Sequence, residues 1–454
     1  MPAVHRGLIC ALVALAPVQG YADGIAIVGG SPRAIGRAGA ATVGDDGGGA
    51  LLINPAAMAR RDNLRGELGA VVVDDAVQWR NETTDAAQAV GRAGSRIAPL
   101  GAAIGAVGDW VLGVGVMTAA IADRSLASPG NVTTEHTAQF DYRYAGIAGS
   151  YRRDTVAIGA ARRFGDSLAV GLSFGASRVS VTERRRIWAG LGVDDPSDAP
   201  SSDVELTLRA TDPFAMSAVA GVLYAPVDTQ IELGASVGWS QTVALDGTVA
   251  AAAAAAGPVI TQTAPHATLE VRQPTAVRAG GRYVGDRVVA ELDGDLWIAA
   301  PGSGSTSWLV RGVRVTDPSS MSADLHQVQS RIAQHTHVAL RTAVDVELVP
   351  GFLWATAGYA FSTRATPAGR MSPTFGDLGG HTIGLGLETA AGGVTVTLGW
   401  SRTWSPMTKA RSELGLDNPF SSSSATADNS VPYGSYDASL DQVGVIIEAE
   451  LGDH

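Results

Sequence analysis

From about residue 63 onward, apolar residues recur at every second position. In residues 167–175, Leu168, Val170, Leu172 and Phe174 alternate with Ala169, Gly171, Ser173 and Gly175. In residues 230–240, Ile231, Leu233, Ala235, Val237 and Trp239 alternate with Glu232, Gly234, Ser236, Gly238 and Ser240. Val394, Val396, Leu398 and Trp400 repeat the pattern against Thr395, Thr397, Gly399 and Ser401. A period of two with one apolar and one small or polar face predicts β-strands. Short turn signals separate such runs at 107–109, 164–166, 226–229, 285–286, 349–351 and 391–393. Between these hairpins lie long polar or irregular stretches near 82–95, 122–139, 186–203, 249–265, 301–328, 365–378 and 406–436. Regular exchange of short and long connections is the pattern of an up-and-down outer-membrane barrel. It predicts an all-β fold: a 14-stranded antiparallel transmembrane β-barrel over 63–454.

Two segments precede the alternation. Residues 1–22 read as a cleaved signal peptide: His5 and Arg6, an apolar run over 8–15, then Gly20-Tyr21-Ala22 at the cleavage site. The apolar run is shorter than the ~20 residues a helical span needs. Residues 23–62 are too apolar for a free tail. Their core, 31–59, is also too rich in glycine for a long helix, since each interior Gly costs about 1 kcal/mol against Ala. Such a segment needs a container, and it predicts a hatch lodged in the lumen. About fourteen strands fall between barrels filled by their own side chains and those that leave a channel, so a plug implies gated passage.

Composition narrows the partners. Charged residues make up 17% of the chain, below the usual ~25%, and Gly accounts for 56 of 454 residues. A net charge of −11 argues against nucleic acid. The one cysteine, Cys10, lies inside the signal segment. Neither a catalytic constellation nor a cofactor or metal motif stands out; His326, His335 and His337 fall in or beside outer loops without paired cysteines or a zinc-type spacing. The reading is therefore a non-enzyme.

Lumen-facing positions carry charge: Arg272, Arg278 and Arg282 in one run, Glu291, Asp293 and Asp295 in the next. These charges neutralise one another or form a station for a substrate head group. Gly285-Asp286 reads as a two-residue turn, which sets Tyr283 opposite Val288 and Arg278 opposite Asp293. The alanine run 250–256, closed by Gly257-Pro258, predicts a short outer helix. Its surface, with Ala250, Ala253, Ala256, Val259 and Ile260, is a candidate capture loop. The last run, QVGVIIEAEL over 442–451, resembles the signal read by the barrel-assembly machinery, although His454 replaces the usual terminal aromatic.

Ile35-Gly36-Arg37-Ala38, Asp45-Asp46 and Asn54-Pro55-Ala56, just after a signal segment, resemble the hatch of FadL/TodX-type outer-membrane transporters of hydrophobic compounds. Residues 278–283 followed by Glu291-Leu292-Asp293 and Trp297 look like that family's eighth and ninth strands. Residues 351–361 with Pro367 look like its eleventh strand and loop. The resemblance implies passive uptake of long-chain fatty acids or other hydrocarbons in the bacterial outer membrane, among lipopolysaccharide, by a monomer. It also implies capture by outer loops, a pocket above the hatch, and lateral release beside a kinked third strand. The matching strand is 110–120, with Gly113 and Gly115 as kink positions, and the gate would be held by Gly36, Arg37, Asp45, Asp46, Asn54, Pro55 and Ala56. Alternatives are a barrel scaffold for secretion or surface attachment, since some such barrels also carry Asn-Pro-Ala near the N-terminus, and a gated porin for polar solutes.

Overall fold

A computed structural model describes residues 27, 30–81, 88–130, 140–191, 200–254, 257–410, 416–420 and 434–451. The signal segment 1–22 lies outside them. In chain order the strands are β1 (Arg65–Asn81), β2 (Gln88–Arg92), β3 (Arg96–Val107), β4 (Trp110–Ser125), β5 (Ala148–Phe164), β6 (Leu168–Trp188) and β7 (Asp203–Tyr224). Next come β8 (Ile231–Ser240), β9 (Val243–Ala253), β10 (Val259–Val271), β11 (Thr275–Val284), β12 (Val288–Ile298), β13 (Ser307–Thr316), β14 (Ser322–Asp324) and β15 (Gln327–Gln329). The chain ends with β16 (His337–Val349), β17 (Leu353–Ser362), β18 (Gly380–Ala391), β19 (Val394–Trp404), β20 (Thr408–Ala410) and β21 (Gly434–Glu450).

Fourteen of these strands form the wall. Each pairs antiparallel with the next in the order β1, β3, β4, β5, β6, β7, β8, β11, β12, β16, β17, β18, β19, β21. Strand β21 closes on β1 from Arg65↔Glu450 to Asn81↔Gly434. Closure leaves no edge in the wall, which is what lets strands cross lipid. The alternation now has a direction: Leu168, Val170, Leu172 and Phe174 point outward and are exposed, while Ala169 and Ser173 are buried inside. Val443, Val445, Ile447 and Leu451 line the outer face of the closing strand.

Two of the long connections contain structure that periodicity alone did not reveal. The outer half of β7 continues beyond β8 and pairs with β9, which pairs with β10; β10 pairs with β13, and β13 with β14 and β15. This outer sheet has its own apolar core, including Val204, Leu206, Leu208, Val249, Leu269, Trp308, Val310 and Val315. The alanine run is therefore a strand up to Ala253, not a helix. Val243, Leu245 and Val249 set a period of two, and Ala251 continues it into the core. Burial against β7 outweighs alanine's helix propensity, which is a weak preference.

The β11–β12 turn also differs from the expectation. Val284 pairs with Val289, and Gly285 N–H donates to Val288 O at 2.9 Å, so the two turn residues are Asp286-Arg287 instead of Gly285-Asp286. The register shifts by two, which keeps every side chain on its face. Arg278 lies opposite Asp295, at 4.0 Å, and Asp293 lies opposite Gly280.

Candidate functional site

Residues 30–60 occupy the lumen as three short turns of helix. The first, Pro32–Gly36, starts with proline and is capped by Ser31, whose Oγ accepts from Ala34 N–H at 3.2 Å and donates to Asp45 Oδ2 at 2.6 Å. It stops where Ala38 and Gly39 take positive φ, at 49° and 88°. A 3₁₀ turn follows at Gly48–Leu51 and another at Pro55–Arg60.

Two physical devices fix this segment. The first is missing side chains. Gly358, Gly384 and Gly399 face inward from β17, β18 and β19, and a methyl group at any of them would run into the backbone between Pro32 and Ala38. Gly171 on β6 does the same for the backbone at Pro55-Ala56, and a methyl at Gly221 on β7 would run into the Asn54 side chain. The second is charge. Arg37, 3% exposed, meets Glu291 at 2.7 Å and Asp345 at 3.3 Å. Glu291 Oε1 accepts from Val43 N–H and Gly44 N–H at 2.8 and 3.1 Å. Asp293 Oδ2 accepts from Ala41 N–H and Thr42 N–H at 2.8 and 2.9 Å. Gly280 has no Cβ, and this leaves room for the Asp293 carboxylate. Arg341 donates to Ala38 O at 3.0 Å and to Asp295 at 2.8 Å.

The lower half is held the same way. Arg33 reaches Glu448 at 2.8 Å, Glu388 at 3.0 Å and Asp46 at 3.3 Å. Arg61 reaches Asp46 at 2.6 Å and Glu448 at 3.2 Å. Arg60 and Arg282 share Glu232 at 2.6 and 3.2 Å. Burial alone would raise the Asp46 carboxyl; Arg61 and Arg33 outweigh it and hold it below the usual carboxylate range. Asp45 has no such ion pair among the described residues, and burial pushes it up. Buried charges survive only when paired and hydrogen-bonded, and this layer meets that condition between the segment and the wall.

Next to this ion-paired layer is a cavity of about 270 Å³. Ile27, Leu52 and Ile53 form its floor, Arg153 and Trp297 its sides, and Phe375 its roof. It reaches β4 where the ladder with β5 breaks: Thr118 pairs with Asp154 and Ala120 with Arg153, so Ala119 is an extra residue, a β-bulge. Ile27 N–H donates to Ala119 O at 3.3 Å, so the start of the hatch caps the bulge.

The family of outer membrane protein transport proteins (OMPP1/FadL/TodX) matches residues 13–296. The chain belongs to this family. The FadL/TodX fold is shared with solved structures at low identity. A Pseudomonas aeruginosa FadL homologue is 12% identical with a TM-score of 0.70, covering 95% of this chain and all of its own. The P. putida toluene transporter TodX is 14% identical with a TM-score of 0.68, covering 94% and 100%. The Ralstonia pickettii toluene transporter TbuX is 14% identical with a TM-score of 0.63, covering 93% and 98%. No curated protein sequence matches the chain.

In this FadL/TodX-type barrel the structure relocates several expected site residues. The third strand is irregular at Ala119, not at Gly113 or Gly115. Those two pair regularly with Gly159 and Ala157, and the hatch's Met58 and Leu51 pack where their side chains would stand. Asn54 does not reach the third strand: its Nδ2 donates to Thr42 O at 2.8 Å and to Val222 O on β7 at 3.2 Å, while its Oδ1 accepts from Ala56 N–H at 3.2 Å. Arg272 is exposed beyond the wall, donating to Pro301 O, because Gln273-Pro274 interrupts the alternation before β11. Ala250, Ala253 and Val259 are exposed on the outer sheet, Ile260 is half-buried, and none lines the cavity; Ala256 lies outside the described residues. Gly36 packs on Gly386, and Pro55 and Ala56 lie on Gly171. Missed altogether were Arg33, Arg60 and Arg61 with their wall partners Glu232, Glu388 and Glu448. Their signal was available: each acid sits at an inward position of an alternating run.

Asn54 carries a measurable load. It is fully buried and serves both as helix cap and as a bridge to β7. Asn54→Ala removes the cap, worth about 0.5–2 kcal/mol, and leaves buried carbonyls short of a donor, about 1–3 kcal/mol. With about 2.8 kcal/mol as a working total, trypsin nicking at Arg33, Arg37, Arg60 or Arg61 should accelerate roughly 100-fold, since 1.4 kcal/mol is tenfold. Unchanged nicking would deny Asn54 this role.

Proposed function

We propose that this protein lets hydrophobic small molecules, long-chain fatty acids or aromatic hydrocarbons, cross the outer membrane passively, with the leader removed on export. Molecules collect at the outer loops, settle in the cavity above the hatch and leave sideways through the wall at the β4 bulge. The observation that carries this reading is the cavity's position: Leu52 and Ile53 of the hatch line it, it touches Ala119 and Ala120, and the hatch is ion-paired to the wall. Each CH₂ taken out of water gains about 0.8 kcal/mol. A wet axial channel forfeits that gain, whereas release through the wall into lipid keeps it. The ion-paired, hydrogen-bonded hatch weighs against an open porin.

The first test is mass spectrometry of what co-purifies in mild detergent. An apolar compound at near one per barrel is expected; only polar solutes or none would count against the reading. The second is Ala119 deletion, which restores the β4–β5 ladder and removes the carbonyl that Ile27 caps. Uptake of labelled oleate or toluene should fall at least about tenfold, while the barrel keeps its heat-resistant migration. Undiminished uptake would remove the bulge from the route.

A further inference from the structure

The wall has a second irregularity, larger than the β4 bulge and on another side of the cavity. The ladder β8–β11 ends at Gly238↔Ala276, and the ladder β9–β10 begins at Val243↔Val271. Counting on from the first reaches the second without a shift, so both belong to one long hairpin. Residues 239–242 and 272–275 should pair within it and do not. The neighbouring ladder breaks at the same height: β7 pairs with β8 up to Ser217↔Ser240 and with β9 from Thr211↔Asp246. The next ladder, β6–β7, shifts register there too, between Ser177↔Ala215 and Val179↔Asp212, beside Pro213. Three adjacent ladders thus fail along one line across the wall.

The break is built and not merely frayed. Unpaired backbone is costly in lipid, and side chains stand in for it here. Asp212 Oδ2 accepts from Ala244 N–H at 2.8 Å and its Oδ1 from Phe214 N–H at 2.9 Å. Gln241 Oε1 accepts from Met216 N–H at 3.3 Å, and Gln241 N–H donates to Met216 O at 2.9 Å. Pro274 has no N–H to satisfy.

The cavity passes into this break. It is lined by Gly238 and Ser240, which face inward, and also by Trp239, which faces outward and is 50% exposed. Phe214 and Met216 are exposed beside it. Eight residues at ~3.3 Å each along a strand tilted about 40° put Trp239 roughly 20 Å above the turn before β8, near the top of the ~25 Å apolar band. Aromatic residues favour that level.

We infer that the break at residues 239–242 and 272–275 is a side port joining the cavity to the outer leaflet, through which apolar chains dissolved in lipid enter without passing the outer loops. The port rests on the barrel's placement in a bilayer and not on transport, so its test reads access alone. Ser240→Cys places a thiol at the port and Thr155→Cys places one in the same cavity near the β4 bulge. The only native cysteine is Cys10. In reconstituted vesicles, hexadecyl methanethiosulfonate delivers an alkyl chain from lipid, and a small water-soluble methanethiosulfonate normalises for thiol reactivity. The normalised alkyl rate, read by mass spectrometry, should be at least about tenfold higher at position 240 than at 155. A side chain at Gly238 would start among ordinary van der Waals contacts, so Gly238→Trp should fill the port and slow labelling at both positions. Equal rates, or faster labelling at 155, would overturn the port and place entry at the mouth or the bulge.

Discussion

Replacing Glu291 with glutamine is expected to turn a barrel that holds back ions into one that conducts in bursts. Glutamine keeps an oxygen for Val43 N–H and Gly44 N–H but loses the charge facing Arg37 at 2.7 Å. Arg37 stays almost fully buried, with Asp345 at 3.3 Å as its remaining partner. Removing one partner of a buried pair costs about 3–5 kcal/mol. Because Asp345 remains, the lower end applies, and about 3 kcal/mol moves the docked-to-undocked ratio roughly 100-fold. Planar-bilayer recordings should show rare openings in the parent and frequent ones in Glu291→Gln. An Arg37→Ala, Glu291→Gln double variant should cost less than the sum of the singles, since both act on one pair. Identical recordings for parent and variant would mean that this pair does not hold the hatch.

A larger effect is expected from Gly358→Leu. The wall at Gly358 touches the backbone at Arg37 and Ala38, so even a methyl group has no space, and backbone cannot swing aside as a side chain can. Overpacking alone costs about 1–3 kcal/mol. Here the strain is relieved by lifting residues 32–44 off the wall, which also gives up the contacts with Glu291 and Asp293. Trypsin should then cut at Arg33 and Arg37 in nearly every molecule, and conductance should be continuous. Gly294 on β12 is the matched control: its Cβ would meet open space on the outer face, so Gly294→Leu should change neither readout. A closed, protease-resistant Gly358→Leu barrel would show that the hatch does not lie on this wall.

The strands and their facing were legible because inward positions are mostly small, polar or charged and outward ones mostly apolar. Leu168 to Phe174 and Val443 to Leu451 needed no further information. The strand count followed from connection lengths, since the long stretches all lie at the end opposite the short turns. Local propensity failed where burial outweighed it. Ala250 and Ala251 read as helix until a partner strand with Leu206 and Val204 is known, and nothing near them in sequence shows that partner. The turn read as centred on Gly285-Asp286 because glycine permits it there, yet the bond from Gly285 to the Val288 carbonyl centres it on Asp286-Arg287. At the site, the hatch was visible as an apolar, glycine-rich segment without a home. Its clasps were not: Arg33 and Glu448 are separated by almost the whole chain. The bulge at Ala119 carried no glycine or proline to mark it.

The proposed function requires residues 31–59 to close the barrel to ions while apolar molecules still pass. The most direct measurement is initial uptake of labelled oleate and labelled toluene by cells lacking the gene, complemented with the parent or with Gly358→Leu. Uptake of at least one compound should be faster with the parent than with empty vector, with no gain in sensitivity to small polar antibiotics. That sensitivity should appear only in the Gly358→Leu strain. Uptake equal to empty vector for both compounds, or antibiotic sensitivity already present with the parent, would contradict closure by the hatch with passage of apolar molecules.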